Sequence, residues 1–187
     1  MHTSSLIILG CFTLMGIYLA YLGAVLRNKG FKPLGSPTIK PVYFFTGKVT
    51  LFSSWIILLV NSIMVMAGQP SDRIFQPWPA ATVVFLGTLL MILAFRDLGD
   101  ALRVGLPGEA TSLKTHGIYR ISRNPIYVGV DLIAIGSMFF FPGILNIIFA
   151  LTGIAVHHAI ILSEERFLED RFGQEWLTYK QKTRRYI

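Results

Sequence analysis

The sequence has 187 residues, of which 53% are hydrophobic and only 14% are charged, and its formal net charge is +7. Soluble domains contain about a quarter charged residues, so this composition excludes an ordinary soluble protein and predicts an integral membrane protein. A single cysteine, Cys11, excludes a disulfide framework.

Five apolar segments predict five transmembrane helices. They lie at residues 5–26, 49–67, 78–95, 126–141 and 143–162, and about 17 apolar residues are needed to cross the hydrocarbon core. The fourth segment is shorter than this and indicates a tilted or partly interfacial span. The first lacks the basic start and the small-residue cleavage site of a signal peptide. We therefore expect an all-α integral membrane protein with five retained spans.

The basic residues predict the orientation of these spans. Of 17 lysines and arginines, 16 fall in segments 27–48, 96–125 and 163–187, which share one side in a five-span topology. The positive-inside rule then places the N-terminus outside and the C-terminus in the cytoplasm. Attraction to an anionic leaflet accounts for this basic face, and no soluble basic domain is present to bind nucleic acid. The predicted location is the cell membrane in a prokaryote, or the endoplasmic reticulum in a eukaryote.

Local signals predict how the helices begin, turn and end. Asn61 is a strongly polar residue inside the second span and indicates an interhelical hydrogen bond. Pro142 and Gly143 predict a tight turn, so the last two spans should form a hairpin. After Leu162, apolar residues recur among charges at helical spacing. The fifth helix should therefore continue as an amphipathic cytoplasmic helix, with a possible break at Gly173.

Most acids and histidines lie in the C-terminal half. Asp131 lies one turn inside the fourth span, where an ionisable group indicates a function; a structural partnership with an Arg or His across the hairpin is equally open. His157 and His158 lie seven residues before Glu164 and Glu165 on the fifth helix. Histidine and glutamate are good metal ligands, but the HExxH spacing is missing. Four histidines are also too few for a histidine-box di-iron site, and we predict no metal.

The stretch "HGIYRISRNPIYVGVD", residues 116–131, is unusually polar for the start of an apolar helix. Asn124 and Pro125 suit the N-cap and the first helical position. Capping does not explain why Arg120, Arg123 and Tyr127 lie at the same point. The chain also lacks GxGxxG and P-loop motifs, so a nucleotide-type cofactor would be held between helix ends and the loop 96–125.

Two linked motifs resemble the isoprenylcysteine carboxyl methyltransferase family over roughly residues 105–182. "GIYRISRNPIYVG" matches the pattern Gly-x-Tyr-x-x-x-Arg-His-Pro-x-Tyr-x-Gly, and "EERFLEDRFGQEWLTYKQ" matches a later Glu-Glu and Phe-Gly-x-Glu-Trp motif. Asn124 occupies the position of the pattern's histidine, so any acid–base role there is lost. Phospholipid N-methyltransferases share much of this pattern, and sterol reductases share less.

The resemblance implies a methyltransferase that binds S-adenosylmethionine at the cytoplasmic ends of the last two helices. Residues 1–95 would then be a three-helix membrane anchor, and residues 96–187 the catalytic region with transmembrane helices 4 and 5. By the motif positions, the catalytic residues would be Arg123, Glu164 and Glu165. The cofactor-binding residues would be Thr111, Ser112, Leu113, Lys114, Tyr119, Asn124, Pro125, Ile126, Tyr127 and Glu164.

The implied reaction is O-methylation of the C-terminal carboxylate of a prenylated cysteine. Such a carboxylate, with a pKa near ~3.5, is already a nucleophile at neutral pH and needs no general base. A phospholipid amine is the alternative acceptor, and its ammonium would first have to lose a proton. An NADPH-dependent sterol-type reductase and a non-enzymatic small transporter also stay open. The expected partners are the lipid bilayer and a prenylated cysteine or other lipidic acceptor.

Overall fold

The protein is helical throughout the residues that its computed structural model describes, 1–28, 39–69, 73–99 and 112–187. Six α-helices and one 3₁₀ turn, Gly117–Arg120, follow one another along these residues. The helices are α1 (His2–Asn28), α2 (Pro41–Met66), α3 (Pro77–Leu98), α4 (Pro125–Phe140), α5 (Ile144–Phe172) and α6 (Gln174–Lys182). The only β-type pairing in the described residues is an isolated parallel bridge between Ser122 and Arg184. The all-α fold class is therefore confirmed for the described residues.

Four helices, α1, α2, α3 and α5, are long and apolar enough to cross a membrane. The helix α4 has 16 residues, which at 1.5 Å per residue gives about 24 Å, less than the ~30 Å of a hydrocarbon core. It pairs along its length with α3. Its role as a fifth span, and an outside N-terminus, remain predictions.

Proline residues begin three of the helices. Pro41, Pro77 and Pro125 occupy the first turn of α2, α3 and α4, where a missing N–H is harmless and the fixed φ angle suits the helix. The helix α2 consequently starts well before residue 49, the predicted boundary. That boundary leaves Lys48 in the basic segment before the span, which is wrong because Lys48 lies inside α2.

Neighbouring helices run antiparallel and approach closely at glycines. A Cβ on Gly129 would lie 2.5 Å from Met91 Cγ and 2.7 Å from the Gly87 carbonyl oxygen, and one on Gly136 would lie 2.6 Å from a Val84 methyl. These contacts join α3 to α4, and Gly47 makes a similarly close contact with Val156 between α2 and α5. Small residues allow such approach in membranes. The starts of α2 and α4 and the ends of α3 and α5 therefore lie together, at what we call the site end.

A buried amide, Asn146, joins three helices near the opposite end. Its Nδ2 donates to Ser137 and to the Phe141 carbonyl, and its Oδ1 accepts from Ser54 on α2 at 2.8 Å. Asn61, for which an interhelical bond was expected, instead donates to the Ile57 carbonyl of its own helix. The turn at Phe141–Gly143 joins α4 to α5 as predicted.

The C-terminal part follows the predicted pattern. The helix α5 ends at Phe172, and Gly173 has a positive φ of 50° that breaks the helix before α6. The short amphipathic helix α6 buries Trp176 and Tyr179 and leaves Glu175 exposed. The tail then returns to the beginning of α4, where the Arg123 N–H donates to the Arg184 carbonyl. The tail thus becomes part of the site end.

Candidate active site

The segment before α4 is held against the end of α3 by one acid. Asp97 accepts a hydrogen bond from the backbone N–H of Ile118 at 2.8 Å. Gly117 has a φ of 59°, and a Cβ there would lie 2.0 Å from the Asp97 carboxylate. Only glycine accommodates both the positive φ and this approach. The pair therefore positions the 3₁₀ turn that carries Tyr119 and Arg120.

A buried ionic network surrounds Glu165. Its Oε1 accepts from Arg123 and from the Asn124 amide, and its Oε2 accepts from Arg185 at 2.9 and 3.0 Å. The remaining Arg123 bonds go to the Thr183 and Lys180 carbonyls. Because the side chains of Arg123 and Glu165 are only 7% and 6% exposed, this network ties α4, α5 and the tail together, and the charge of Arg123 is already engaged.

Asn124 stands at the N-cap position of α4, as predicted, but its side chain makes no cap bond. Its Nδ2 donates to Glu165 and to the Arg185 carbonyl. The backbone N–H of Asn124 is satisfied by the Ser122 hydroxyl instead. The amide that replaces the pattern's histidine therefore serves the ionic network.

Glu164, the next residue on α5, has a different environment. Its Oε1 accepts a hydrogen bond of 2.8 Å from the Tyr127 hydroxyl. Its Oε2 accepts none from any residue that the structure describes. Tyr127 also packs edge-on against His157, with ring centroids 5.2 Å apart. A partly buried carboxylate beside an aromatic ring is suited to hold hydroxyl, amino or sulfonium groups.

Two further ionisable groups lie beside Tyr127. Lys48 Nζ, from α2, is 5.9 Å from the centre of the Tyr127 ring and 5.5 Å from that of Phe44. On the other side, His157 Nδ1 lies 3.1 Å from an Asp131 oxygen, across the α4–α5 hairpin. Asp131 therefore has a histidine partner across the hairpin, as expected if its role is structural.

Two buried tyrosines outside the spans fasten α6 to the 3₁₀ turn. The Tyr179 hydroxyl donates to the Tyr119 carbonyl at 2.6 Å. Burial raises the pKa of Tyr179 to about 12 and raises that of Tyr119 further above its usual value. Both phenols are therefore neutral at physiological pH, and Tyr179 remains a hydrogen-bond donor.

The structure brings some of the predicted site residues together and not others. Asn124 and the buried Pro125 adjoin the Glu165 network, Ile126 packs against the apolar core, and Tyr127 contacts Glu164. No hydrogen bond or ion pair joins Ser112, Leu113 or Lys114 to another described residue. Thr111 lies outside the described residues.

A cleft lies between the 3₁₀ turn and α6, next to these residues. Its volume is about 570 Å³, within the range of ligand pockets. Its lining residues are Thr115, Arg120, Glu175, Thr178, Tyr179, Lys182 and Thr183. None of them is a predicted cofactor residue, so we assign the candidate site to Glu164 and Tyr127 on geometry rather than to this cleft. No group of three or more metal-ligating side chains occurs among the described residues.

Sequence reasoning missed three contributors to the site end. Lys48 was counted as a loop charge, although Pro41 is a helix-start signal that would have placed it inside α2. Asp97 and Arg185 have no motif of their own, and their partners are distant in sequence. No local signal identifies them.

Comparisons with known proteins agree with the motifs. The family model described as phospholipid methyltransferase matches residues 75–175, more than half of the chain. Proteins named probable protein-S-isoprenylcysteine O-methyltransferase, from Oryza sativa subsp. indica and subsp. japonica, are 27% identical over 129 residues. That alignment covers 68% of this chain and 59% of each rice protein. The chain thus spans under two thirds of their length, and no solved structure gives a significant match. The resemblance inferred from the motifs is confirmed, and the chain belongs to the phospholipid methyltransferase family.

Proposed function

We propose that the protein is a membrane-embedded methyltransferase that uses S-adenosylmethionine and methylates the C-terminal carboxylate of a prenylated cysteine. The observation that carries the proposal is the Tyr127–Glu164 pair at the site end, where the family motifs meet. The similarity to the two rice proteins supports the choice of acceptor.

The residues at the site end fit this cofactor. Glu164 has one carboxylate oxygen without a partner among the described residues, and it can accept from ribose hydroxyls or from the α-amino group. The Tyr127 ring beside it suits a sulfonium cation. When bound, S-adenosylmethionine supplies an electrophilic methyl group. Ser112, Leu113 and Lys114, together with Thr111, would complete the pocket from the loop side.

The chain's own residues would then act by positioning. Glu165, Arg123 and Asn124 form the network that fixes the start of α4 relative to α5, and through it the Tyr127–Glu164 pair. The acceptor held by these residues would form the new bond from its carboxylate oxygen to the methyl carbon, and the electron pair of the broken S–C bond would stay on sulfur. A carboxylate brings no proton to remove, so alignment and exclusion of water suffice.

A phospholipid amine is the second candidate acceptor, favoured by the family that matches residues 75–175. An amine must lose a proton before attack, and Glu164 or the Asp131–His157 pair is close enough to Tyr127 to be considered for this role. The anchor at residues 1–95 and the catalytic region at 96–187 remain part of the proposal for either acceptor.

Cofactor binding tests the proposal first. Isothermal calorimetry of the detergent-solubilised protein should show binding of S-adenosylhomocysteine and none of NADPH. Binding of NADPH alone would support a reductase. Binding of neither ligand would contradict the proposed use of S-adenosylmethionine.

Acceptor identity is tested by methyl transfer. N-acetyl-S-farnesylcysteine should be methylated, whereas N-acetylcysteine should be nearly inert, because each buried methylene contributes about 0.8 kcal/mol. The rate should stay flat between about pH 6 and 8, since the acceptor carboxylate does not titrate there. A rate that climbs steeply with pH, together with methylation of phosphatidylethanolamine, would identify the amine as the acceptor.

A further inference from the structure

The proposed acceptor carries an anionic group, and the site end must hold that group near the cofactor. Two arginines of the motif region are the obvious cations for this task. Arg123 is engaged on Glu165 and on two tail carbonyls. Arg120 lines the cleft with Glu175 and Lys182, and neither Tyr127 nor Glu164 lines that cleft. Neither guanidinium is well placed to meet the acceptor.

Lys48 is a cation with a different environment. It lies on α2, about two turns inside the helix, and its ammonium faces the rings of Phe44 and Tyr127 rather than open solvent. Within the described residues, Lys48 makes no hydrogen bond or ion pair. Glu164 and Asp131 are its charged neighbours within electrostatic range.

The position of Lys48 also relates it directly to the candidate cofactor residues. Tyr127 lies under Lys48 Nζ, and the hydroxyl of the same tyrosine donates to Glu164. A cationic cofactor bound at Glu164 would neutralise the negative charge of that carboxylate. The ammonium of Lys48 would then be available to an anionic ligand at the junction of α2 and α4.

We propose that Lys48 binds the anionic group of the lipidic acceptor, a function that rests on the proposed methyl transfer. An ammonium is a strong donor to a carboxylate or to a phosphodiester, so both sources share the same recognition chemistry. The two aromatic rings keep the lysine side chain at this point, and the apolar part of the acceptor would lie along the membrane-facing surface of α2 and α4.

A role for Lys48 as a simple membrane-boundary lysine is the competing explanation, because lysines near helix ends extend their ammonium to the interface. Lys40 provides a matched control for it. It lies directly before α2 and is exposed, and no hydrogen bond, ion pair or ring contact joins its side chain to another described residue. If the lysine charge acts only because it lies at the membrane boundary, neutralising Lys40 and neutralising Lys48 should change acceptor binding equally.

The experiment compares acceptor binding for charged and neutral probes in a neutral maltoside detergent. The first pair is N-acetyl-S-farnesylcysteine and its carboxamide; the second is a short-chain phosphatidylethanolamine and the matching diacylglycerol. Dissociation constants are measured by microscale thermophoresis, with saturating S-adenosylhomocysteine present to occupy Glu164, for the wild type, Lys48→Gln, Lys48→Met, Lys48→Arg and Lys40→Gln. Thermal unfolding confirms that each variant is folded.

The wild type should bind the charged member of one pair about ten- to a hundredfold more tightly than its neutral counterpart. Lys48→Gln and Lys48→Met should lose that preference, and Lys48→Arg and Lys40→Gln should keep it. The affinity for S-adenosylhomocysteine should change less than the affinity for the charged acceptor in every variant, because Glu164 itself is unchanged. The pair that shows the preference identifies the anion as a carboxylate or a phosphodiester.

A preference that survives in the neutral Lys48 variants would overturn the proposal, as would an equal loss in Lys40→Gln or no preference in the wild type. The function is judged separately. If binding depends on Lys48 but the wild type transfers no methyl group to either lipid, the methyltransferase proposal fails and the anion site stands.

Discussion

Glu164 and Glu165 follow one another on α5, yet their carboxylates have different surroundings. Glu165 accepts hydrogen bonds from Arg123, Asn124 and Arg185, whereas among the described residues Glu164 accepts one, from Tyr127. Adjacent helical residues point about 100° apart, so two neighbouring acids can serve different partners. Glu165 holds α4, α5 and the tail together, and Glu164 has one carboxylate oxygen without a partner among the described residues.

Replacing Glu164 with glutamine should weaken cofactor binding. A hydrogen bond to a charged group contributes about 1.5–3 kcal/mol, which corresponds to roughly ten- to a hundredfold in affinity. Calorimetry with S-adenosylhomocysteine measures the change, and Glu175→Gln, on the exposed side of α6, serves as the control. Normal binding by Glu164→Gln would exclude this role.

Replacing Glu165 with glutamine should instead destabilise the fold. Breaking a buried ion pair costs about 3–5 kcal/mol because a buried charge is left unpaired. The matched control is Glu169→Gln, whose ion pair with Lys180 is 42% and 40% exposed and should contribute less than about 1 kcal/mol. Thermal unfolding in detergent compares the two variants, and similar stabilities would show that the buried network is not a structural clamp.

At the scale of elements, short segments determine how the site end is assembled. The helix α3 ends at Leu98, and Asp97 in its last turn holds the 3₁₀ turn through the Ile118 N–H. The helix α6 is fastened to the same turn by the Tyr179 hydroxyl. These contacts join parts of the chain that are distant in sequence. A change in the position of the turn should therefore also shift α4 and the tail.

Gly117→Ala tests this assembly. Gly117 and Gly99 both have a positive φ, near 59° and 52°, but only Gly117 has a neighbour where a Cβ would lie, the Asp97 carboxylate. Each alanine should cost about 1–3 kcal/mol, because a residue with a Cβ rarely adopts a positive φ. Gly117→Ala should cost more, because Asp97 must move and release Ile118. Thermal unfolding measures the difference, and equal costs for both variants would contradict the importance of the Asp97 contact.

At the scale of the whole molecule, helix packing brings both halves of the chain to the site end. The helix α4 approaches α3 at Gly87 and Gly129, and α5 approaches α2 at Gly47 and Gly153. Lys48 therefore reaches Tyr127 from a helix that the sequence assigned to the anchor. We expect the site end to face the cytoplasm, as the distribution of basic residues predicts.

Cysteine labelling tests this orientation. A membrane-impermeant maleimide added from outside intact cells should label Gln69→Cys, which follows α2 at the end away from the site, and should not label Gln181→Cys on α6. The native Cys11 is only 6% exposed and gives little background. Labelling of Gln181→Cys alone would show that the topology is the reverse of the predicted one. Labelling of both variants without permeabilisation would show that an even number of spans separates the two positions.

The sequence by itself determined the membrane class, the family and the position of most helices. Apolar length and proline or glycine signals act locally, so the α4–α5 turn and the break at Gly173 were predicted correctly. The motif residues Tyr127 and Glu164 were also identified before any contact was known. Their mutual hydrogen bond was not, because it joins residues on different helices.

Only the tertiary structure decided which charges are engaged and which remain available to a ligand. The guanidinium of Arg123 lies against Glu165 and the tail because the chain returns from α6 to the start of α4, and its catalytic role stays a prediction. Asn61 bonds within its own helix, and Asn146 makes the interhelical contacts instead. Which partner a polar side chain binds depends on which faces of two helices meet. The meeting faces are set by close glycine contacts between residues far apart in sequence, and no local pattern encodes them.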